Sequence, residues 1–310
     1  MNADQEPSTF VAALRALEAG TFPVDQRPDV DTASLRARYS DLAEVRLKDV
    51  VVPASNGDVA GRLYLPAGDS KGAVVWAHGG SFIGGDIEMP EGNWVALALA
   101  ARGYSVLSVE YTKALLGVHF PVPSIDLLDS WNWADDHLGF DESPVHLGGA
   151  SAGGNLAAGV GVRLRDGAGR VPSSLVLAYP VLHDVIPAAS AEIRAAVDSL
   201  GPEARFPPET VREMNLNYAG SEAALGDPYA FPAHANLAGM PPIFIINSQS
   251  DDLRSSGEGF AQQALEAGVD VRVECEPGTV HGHLDRPHSA GGQRSIARIG
   301  EWLDGFTVGA

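Results

Sequence analysis

The chain has 310 residues, 35 glycines, 21 prolines and one cysteine, and its 40 acidic and 21 basic residues leave a formal charge of −19. Such an excess of negative charge repels a phosphate backbone and excludes a general nucleic-acid-binding surface. A lone cysteine makes neither an internal disulfide nor a metal site built from two or four thiolates, and a hydrophobic fraction of 45% suits a folded globular protein rather than a disordered acidic chain.

The N-terminus, MNADQEPSTF, lacks the basic start and apolar core of a secretory signal. The longest apolar run, Trp94 to Ala101, is far short of the roughly 20 residues that span a bilayer. A soluble cytoplasmic protein with no membrane association is the expectation. Ser8 or Thr9 opens a short helix with Phe10, Val11, Leu14 and Leu17 on one face, and Gly20 ends it. A second helical stretch is predicted over Asp31 to Leu42. Strands follow at Val45–Val52 and Val59–Leu65, around the turn Asn56-Gly57-Asp58. Further strands are predicted at Ala73–Ala77, Tyr104–Val109, Val145–Leu147, Ser174–Ala178, Ile243–Ile246 and Val269–Cys275. Several are near-continuous apolar runs, as in strands buried on both faces of a parallel sheet.

Helices are predicted between them, at Gly92–Arg102, Ser124–His137, Ala152–Arg165, Gly257–Ala267 and Gln293–Leu303. The alternation gives an α/β fold class. His183 to Ala230 interrupts it, with short helices near Ala189–Leu200 and Pro208–Tyr218. Residues 1–42 and 183–230 are therefore expected to form a helical cap on a core made of 43–182 and 231–310.

Gly149-Ala150-Ser151-Ala152-Gly153 matches G-x-S-x-G between a predicted strand and a predicted helix. A serine at that sharp junction needs small neighbours, and its hydroxyl stands exposed near a helix N-terminus. His78-Gly79-Gly80-Ser81-Phe82 follows the strand Ala73–Ala77. A strand that ends in His-Gly-Gly leaves backbone N–H groups free to hold an oxyanion, each worth ~3 kcal/mol. The expected donors are the amides of Gly79, Gly80 and Ala152. The glycines do not form G-x-G-x-x-G or G-K-[ST], so nucleotide binding is the weaker reading.

An activated serine needs a histidine base and a carboxylate to orient it, and in the strand–turn–helix arrangement the chain order is Ser, acid, His. His183 and His234 precede the best acid. His281 follows the last predicted strand, and its loop leaves the same sheet edge as the serine. The acid is expected after Ile243–Ile246, at Asp251, with Asp252 capping the next helix; Asp227, in the turn Gly226-Asp227-Pro228, is the weaker rival. His283 is read as a group beside the site or facing substrate, and His288 as a surface residue or helix start.

These residues resemble the hormone-sensitive-lipase-like branch of the α/β-hydrolases, the bacterial carboxylesterases and acetyl esterases. The resemblance runs from about Val50 to the C-terminus. It rests on His78-Gly79-Gly80, Gly149 to Asn155, Tyr179-Pro180, Leu237 to Pro242, Asp251-Asp252-Leu253 and Gly278 to Gly282. It implies an α/β-hydrolase fold with an eight-stranded, mostly parallel sheet flanked by helices and a helical cap. Ser151, Asp251 and His281 fall on its triad positions, and Gly79 and Gly80 on its oxyanion loop. Departures lie at Ser81 for a third glycine, Ala150 for an acid, Asp252 for a proline and His283 for an aromatic. Tyr111 to Gly117 replaces the usual Tyr-Arg-Leu-Ala-Pro-Glu.

The expected function is hydrolysis of short- to medium-chain carboxylic esters through an acyl-enzyme, with no metal or cofactor. Ser81, Phe82 and His283 are candidate substrate contacts. Phe10, Phe22, Trp94, Phe206, Tyr218 and Phe231 are core or pocket candidates. An amide or lactone hydrolase, such as a formamidase, would use the same triad. A non-catalytic protein closing its cap over a small ligand is the rival class. A homodimer through the last strand and helix is expected by analogy alone.

Overall fold

The computed structural model describes residues 9–21, 29–138 and 143–307. In chain order it holds α1 (Thr9–Glu18), α2 (Thr32–Arg38), β1 (Arg46–Val52), β2 (Val59–Leu65), β3 (Ala73–Ala77), α3 (Asn93–Ala101), β4 (Ser105–Glu110) and α4 (Val122–His137). There follow β5 (Val145–Ala150), α5 (Ala152–Arg163), β6 (Ser174–Ala178), α6 (Ala191–Val197), α7 (Pro208–Ala219), β7 (Ile243–Ser250), α8 (Arg254–Glu266), β8 (Val271–Val280) and α9 (Ala290–Asp304). All eight strands join one sheet in the order β1-β2-β4-β3-β5-β6-β7-β8. β2 pairs antiparallel with β1 and β4, and every pairing from β4 to β8 is parallel.

The apolar runs become strands because both of their faces are covered. In β3, Ala73, Val75 and Ala77 enter one core layer, while Val74 and Trp76 enter the other. β7 repeats the pattern with Ile243 and Ile245 against Phe244 and Ile246. Leu127 and Trp131 of α4, Leu156 and Val160 of α5 and Phe260 of α8 fill the first layer. Trp94 and Leu97 of α3 and Ile299 and Leu303 of α9 fill the second.

Several boundaries differ from expectation for physical reasons. β5, β7 and β8 run on to Ala150, Ser250 and Val280, past their apolar runs, because ladder pairing rather than hydrophobicity sets where a strand ends. The stretch Asp31–Leu42 breaks at Tyr39, which is extended, and a 3-10 turn over Ser40–Leu42 follows. Asp31 caps α2 by accepting from the Ser34 N–H. Ser8 and Phe22 lie outside the described residues.

The two helices described in the N-terminal stretch pack on different layers. α1 lies against α7, whereas α2 lies against α3 in the opposite layer. Leu35 and Leu42 are buried there beside Trp94, which is a core residue of that layer and borders neither cavity near Ser151. α6 and α7 come from the segment between β6 and β7, and Ser190 caps α6 by accepting from the Ile193 N–H. Among the described residues no helix is long and apolar enough to cross a membrane.

Candidate active site

The carboxyl ends of β3, β5, β7 and β8 deliver four loops to one edge of the sheet, where ligand sites of open α/β sheets lie. Ser151 sits between β5 and α5 with φ 53° and ψ −117°. Strain of that kind costs on the order of 1–3 kcal/mol and persists only where the surroundings enforce it. Here the Ser151 N–H donates to Ala178 O, and glycines flank the turn. A Cβ on Gly153 would stand 2.2 Å from Ala77 O, and one on Gly149 2.4 Å from Gly153 O. The backbones therefore approach too closely for any side chain at either position.

His281 follows β8, and its Nε2 lies 2.9 Å from Ser151 Oγ. Its Nδ1 lies 2.7 Å from Asp251 Oδ2, at the end of β7. An ionised carboxylate only accepts, so Nδ1 carries the hydrogen and Nε2 is left to accept from the serine hydroxyl. Asp251 is fully buried, and its other oxygen accepts from the Leu253 N–H. Burial is the largest influence on His281 and opposes its charged form. The charge and hydrogen bond of Asp251, with Glu91 and Asp252 adding, together outweigh it, so the His281 pKa is raised. The structure thus brings Ser151, His281 and Asp251 into one hydrogen-bonded line.

The loop after β3 supplies amides, but not the set expected. The Gly79 N–H donates to Glu91 Oε2 at 3.0 Å, so it is not a free oxyanion donor. The amides of Gly80, Ser81 and Ala152 have no intramolecular acceptor among the described residues. Ser81 replaces Gly79 in the free set. Ser81 also borders both cavities next to the serine.

Two candidate substrate contacts are corrected. Phe82 is fully buried and stacks on Tyr218 of α7 with ring centroids 4.0 Å apart, so it joins the loop to that helix and borders neither cavity. His283 is also buried: Nδ1 lies 2.8 Å from Ser248 Oγ and Nε2 2.8 Å from Ser295 Oγ, so both ring nitrogens are engaged away from substrate. Burial, with the charges of His281 and Arg286, pushes its pKa down to about 3. His288 hydrogen-bonds Tyr39 just before α9, and Ser289 caps that helix.

Asp252 does not cap α8. It takes Arg205 in a two-pronged ion pair, 2.8 and 3.0 Å, and accepts from the Phe206 N–H. That clamp holds the ring of Phe206 4.6 Å from the His281 ring. His183 bonds Ser256 and His234 pairs with Asp184, so neither joins the serine. Asp227 accepts from the Tyr229 N–H in its turn.

Glu91 had no signal in the sequence. It is 3% exposed, and its Oε1 accepts from Tyr179 Oη at 2.6 Å while Oε2 takes the Gly79 amide. Tyr179 in turn packs edge-on to His281. A cavity of about 240 Å³ is lined by Ser151, His281, Gly80, Ser81, Phe206 and Arg286. A mostly apolar one of about 310 Å³ adjoins it, with Phe10, Leu17, Ser81, Ile83, Phe206 and Met214 in its wall. That is the lower end of small-molecule pockets, ~300–1,000 Å³. Among the described residues no cluster of His, Cys, Asp and Glu has the arrangement of a metal site.

An α/β sheet of this strand order, with a serine on a strained strand–helix turn, defines a hydrolase scaffold, and residues 74–285 match the family model described as alpha/beta hydrolase fold. The chain belongs to that family, in its hormone-sensitive-lipase-like branch. It is 28% identical to Esterase LipI of Mycobacterium tuberculosis over 91% of this chain and 90% of that protein. It is 30% identical to Carboxylesterase NlhH of the same organism, over 86% of each. Among solved structures, an esterase of Pyrobaculum calidifontis superposes with a TM-score of 0.75 at 28% identity, over 91% of this chain and 95% of that one.

Proposed function

We propose that the chain hydrolyses short- to medium-chain carboxylic esters through an acyl-enzyme formed on Ser151. The observation that carries the reading is the line Ser151 Oγ–His281 Nε2 and His281 Nδ1–Asp251 Oδ2, set beside free amides. His281 takes the Ser151 proton as Oγ attacks the ester carbonyl. Asp251 keeps the hydrogen on Nδ1 and stabilises the imidazolium. The amides of Gly80, Ser81 and Ala152 hold the oxyanion. His281 then gives its proton to the departing alcohol. A water attacks the acyl-serine with His281 again as base, which releases the acid and restores Oγ–H. No step calls for a cofactor or metal.

α1 and the segment 183–230 form the cap in this reading, and α2 belongs to the core. The apolar cavity beneath α1 and α7 takes the acyl chain, and its volume favours short to medium lengths. A cytoplasmic location accords with the one half-buried cysteine. The outer edge of β8, which has no paired strand among the described residues and carries exposed Val273, is where a homodimer would form. Hydrolysis of a chromogenic acetate-to-decanoate series tests the activity, with Ser151→Ala beside the wild type. A variant that keeps most of the activity overturns the reading.

A further inference from the structure

The loop that supplies the free amides rests on a half-buried ammonium. His78 is fully buried, and its Nδ1 lies 2.6 Å from Gly79 O. A carbonyl only accepts, so Nδ1 carries the hydrogen. Nε2 faces Lys113 Nζ at 3.0 Å, and an ammonium only donates, so Nε2 is bare. Lys113 also donates to Glu110 Oε1 at 2.7 Å and to Tyr111 O at 2.9 Å, which uses its three hydrogens. Glu110 Oε2 accepts from the Ile87 N–H, and Tyr111 Oη donates to His78 O at 3.0 Å with Gly79 O a longer 3.4 Å away, so His78 Nδ1 is the near donor to Gly79 O. The His78 and Tyr111 rings stack 4.6 Å apart, and Lys113 Nζ lies 4.1 Å from the Tyr111 centroid.

The Gly79 carbonyl and the Gly80 N–H belong to one trans peptide unit and point in opposite directions. The hydrogen on His78 Nδ1 therefore aims the Gly80 N–H. We propose that Lys113 is a positioning residue: its ammonium holds His78 in the Nδ1–H tautomer and so directs the Gly80 amide at the substrate oxyanion. The inference rests on the reading of Gly80 as an oxyanion donor. Burial, then the Lys113 charge, keeps the His78 pKa well below its ordinary value, which agrees with a neutral ring. Without Lys113, Glu110 Oε1, 4.0 Å from Nε2, draws the hydrogen to that nitrogen. Two lone pairs then meet at Gly79 O, and the peptide turns. A leucine at this position, as in the usual run, offers no donor.

The test is Lys113→Met and Lys113→Gln, read by kcat and KM on an acetate ester and by the ring nitrogens of His78 in 15N-histidine spectra. Lys113→Met is expected to move the hydrogen to Nε2 and to lower kcat roughly tenfold or more, with KM within about threefold, against ~10²–10³ for complete loss of a donor. Lys113→Gln keeps an uncharged donor, so the tautomer and kcat (within about threefold) should survive. In a His78→Asn background, where Asn Nδ2 donates without a tautomer to lose, Lys113→Met should cost less than about threefold. A His78 ring that stays Nδ1–H or becomes an imidazolium in Lys113→Met overturns the role of Lys113. A hydrogen that moves while kcat holds overturns the Gly80 reading and the inference with it. Should Lys113→Met not fold, loss of kcat in Lys113→Gln with the tautomer retained overturns the proposal.

Discussion

Glu91 offers a sharp test, because one buried carboxylate serves both the loop and the base. Replacing it by alanine strips the acceptor from the Gly79 N–H and from Tyr179 Oη. A buried donor left without a partner costs ~1–3 kcal/mol, so Glu91→Ala should lose about 2–6 kcal/mol of stability. Glutamine presents one oxygen and one NH2. The oxygen keeps the Gly79 amide, and the NH2 donates to Tyr179 Oη, which leaves only the tyrosine hydrogen unplaced. Glu91→Gln should therefore cost about 1–3 kcal/mol, half the alanine loss. Both variants remove a negative charge that helps to raise the His281 pKa. The base works only when neutral, and a lowered pKa keeps it neutral to more acid conditions. The acid limb of kcat/KM should accordingly move to lower pH in Glu91→Gln. Urea denaturation measures the stabilities, and a pH series on an acetate ester measures the limb. An alanine variant within 1 kcal/mol of the wild type, or a limb that stays or moves to higher pH, would refute the reasoning.

The Arg205–Asp252 pair is partly exposed and contributes only ~0–1 kcal/mol to stability. Arg205→Ala should leave Tm nearly unchanged yet raise KM about threefold or more, since Phe206 loses its brace over His281; an unchanged KM would count against the clamp. Met214→Trp should fill the apolar cavity and cut kcat/KM on an octanoate ester about tenfold, with less than a twofold change on acetate. Equal losses on both esters would remove that cavity from the acyl site. His146 and His283 have pKa values pushed to about 3, and His183 to about 4, all by burial first. Their folded values lie below the unfolded 6.5. The unfolded chain thus takes up protons first, and stability should fall as pH drops from 6.5 toward 4. Each fully linked histidine contributes ~1.4 kcal/mol per pH unit in that window. His283→Gln should flatten the slope, and an unchanged slope would contradict the assignment.

Much of this was legible in the sequence because it follows local rules. The inner parallel strands β3, β6 and the first half of β7 were visible as apolar runs, since burial on both faces demands apolar residues there. Ser151, Asp251 and His281 were legible from motif and chain order, because each must leave the same edge of the sheet. What escaped depends on contacts between distant segments. Glu91 lies in a loop with no pattern, and only its approach to Gly79 and Tyr179 reveals it. Gly79 looked like a free donor because nothing local marks its acceptor. Asp252 looked like a cap because the clamp to Arg205 crosses from another segment. His283 sits one residue from a loop glycine that turns it inward, with φ 71° at Gly282, so neighbourhood in sequence misplaced it. Lys113 was visible only as a departure from the usual run, and its contact with His78 gives that departure a physical meaning.

The central claim is that Ser151 is a nucleophile activated by His281. Labelling with a fluorophosphonate, followed by mass analysis of the peptides, tests it most directly. One phosphonyl group should appear on Ser151, at a rate that falls by orders of magnitude in His281→Ala and to nothing in Ser151→Ala. Labelling on another residue, or an undiminished rate without His281, would contradict the account.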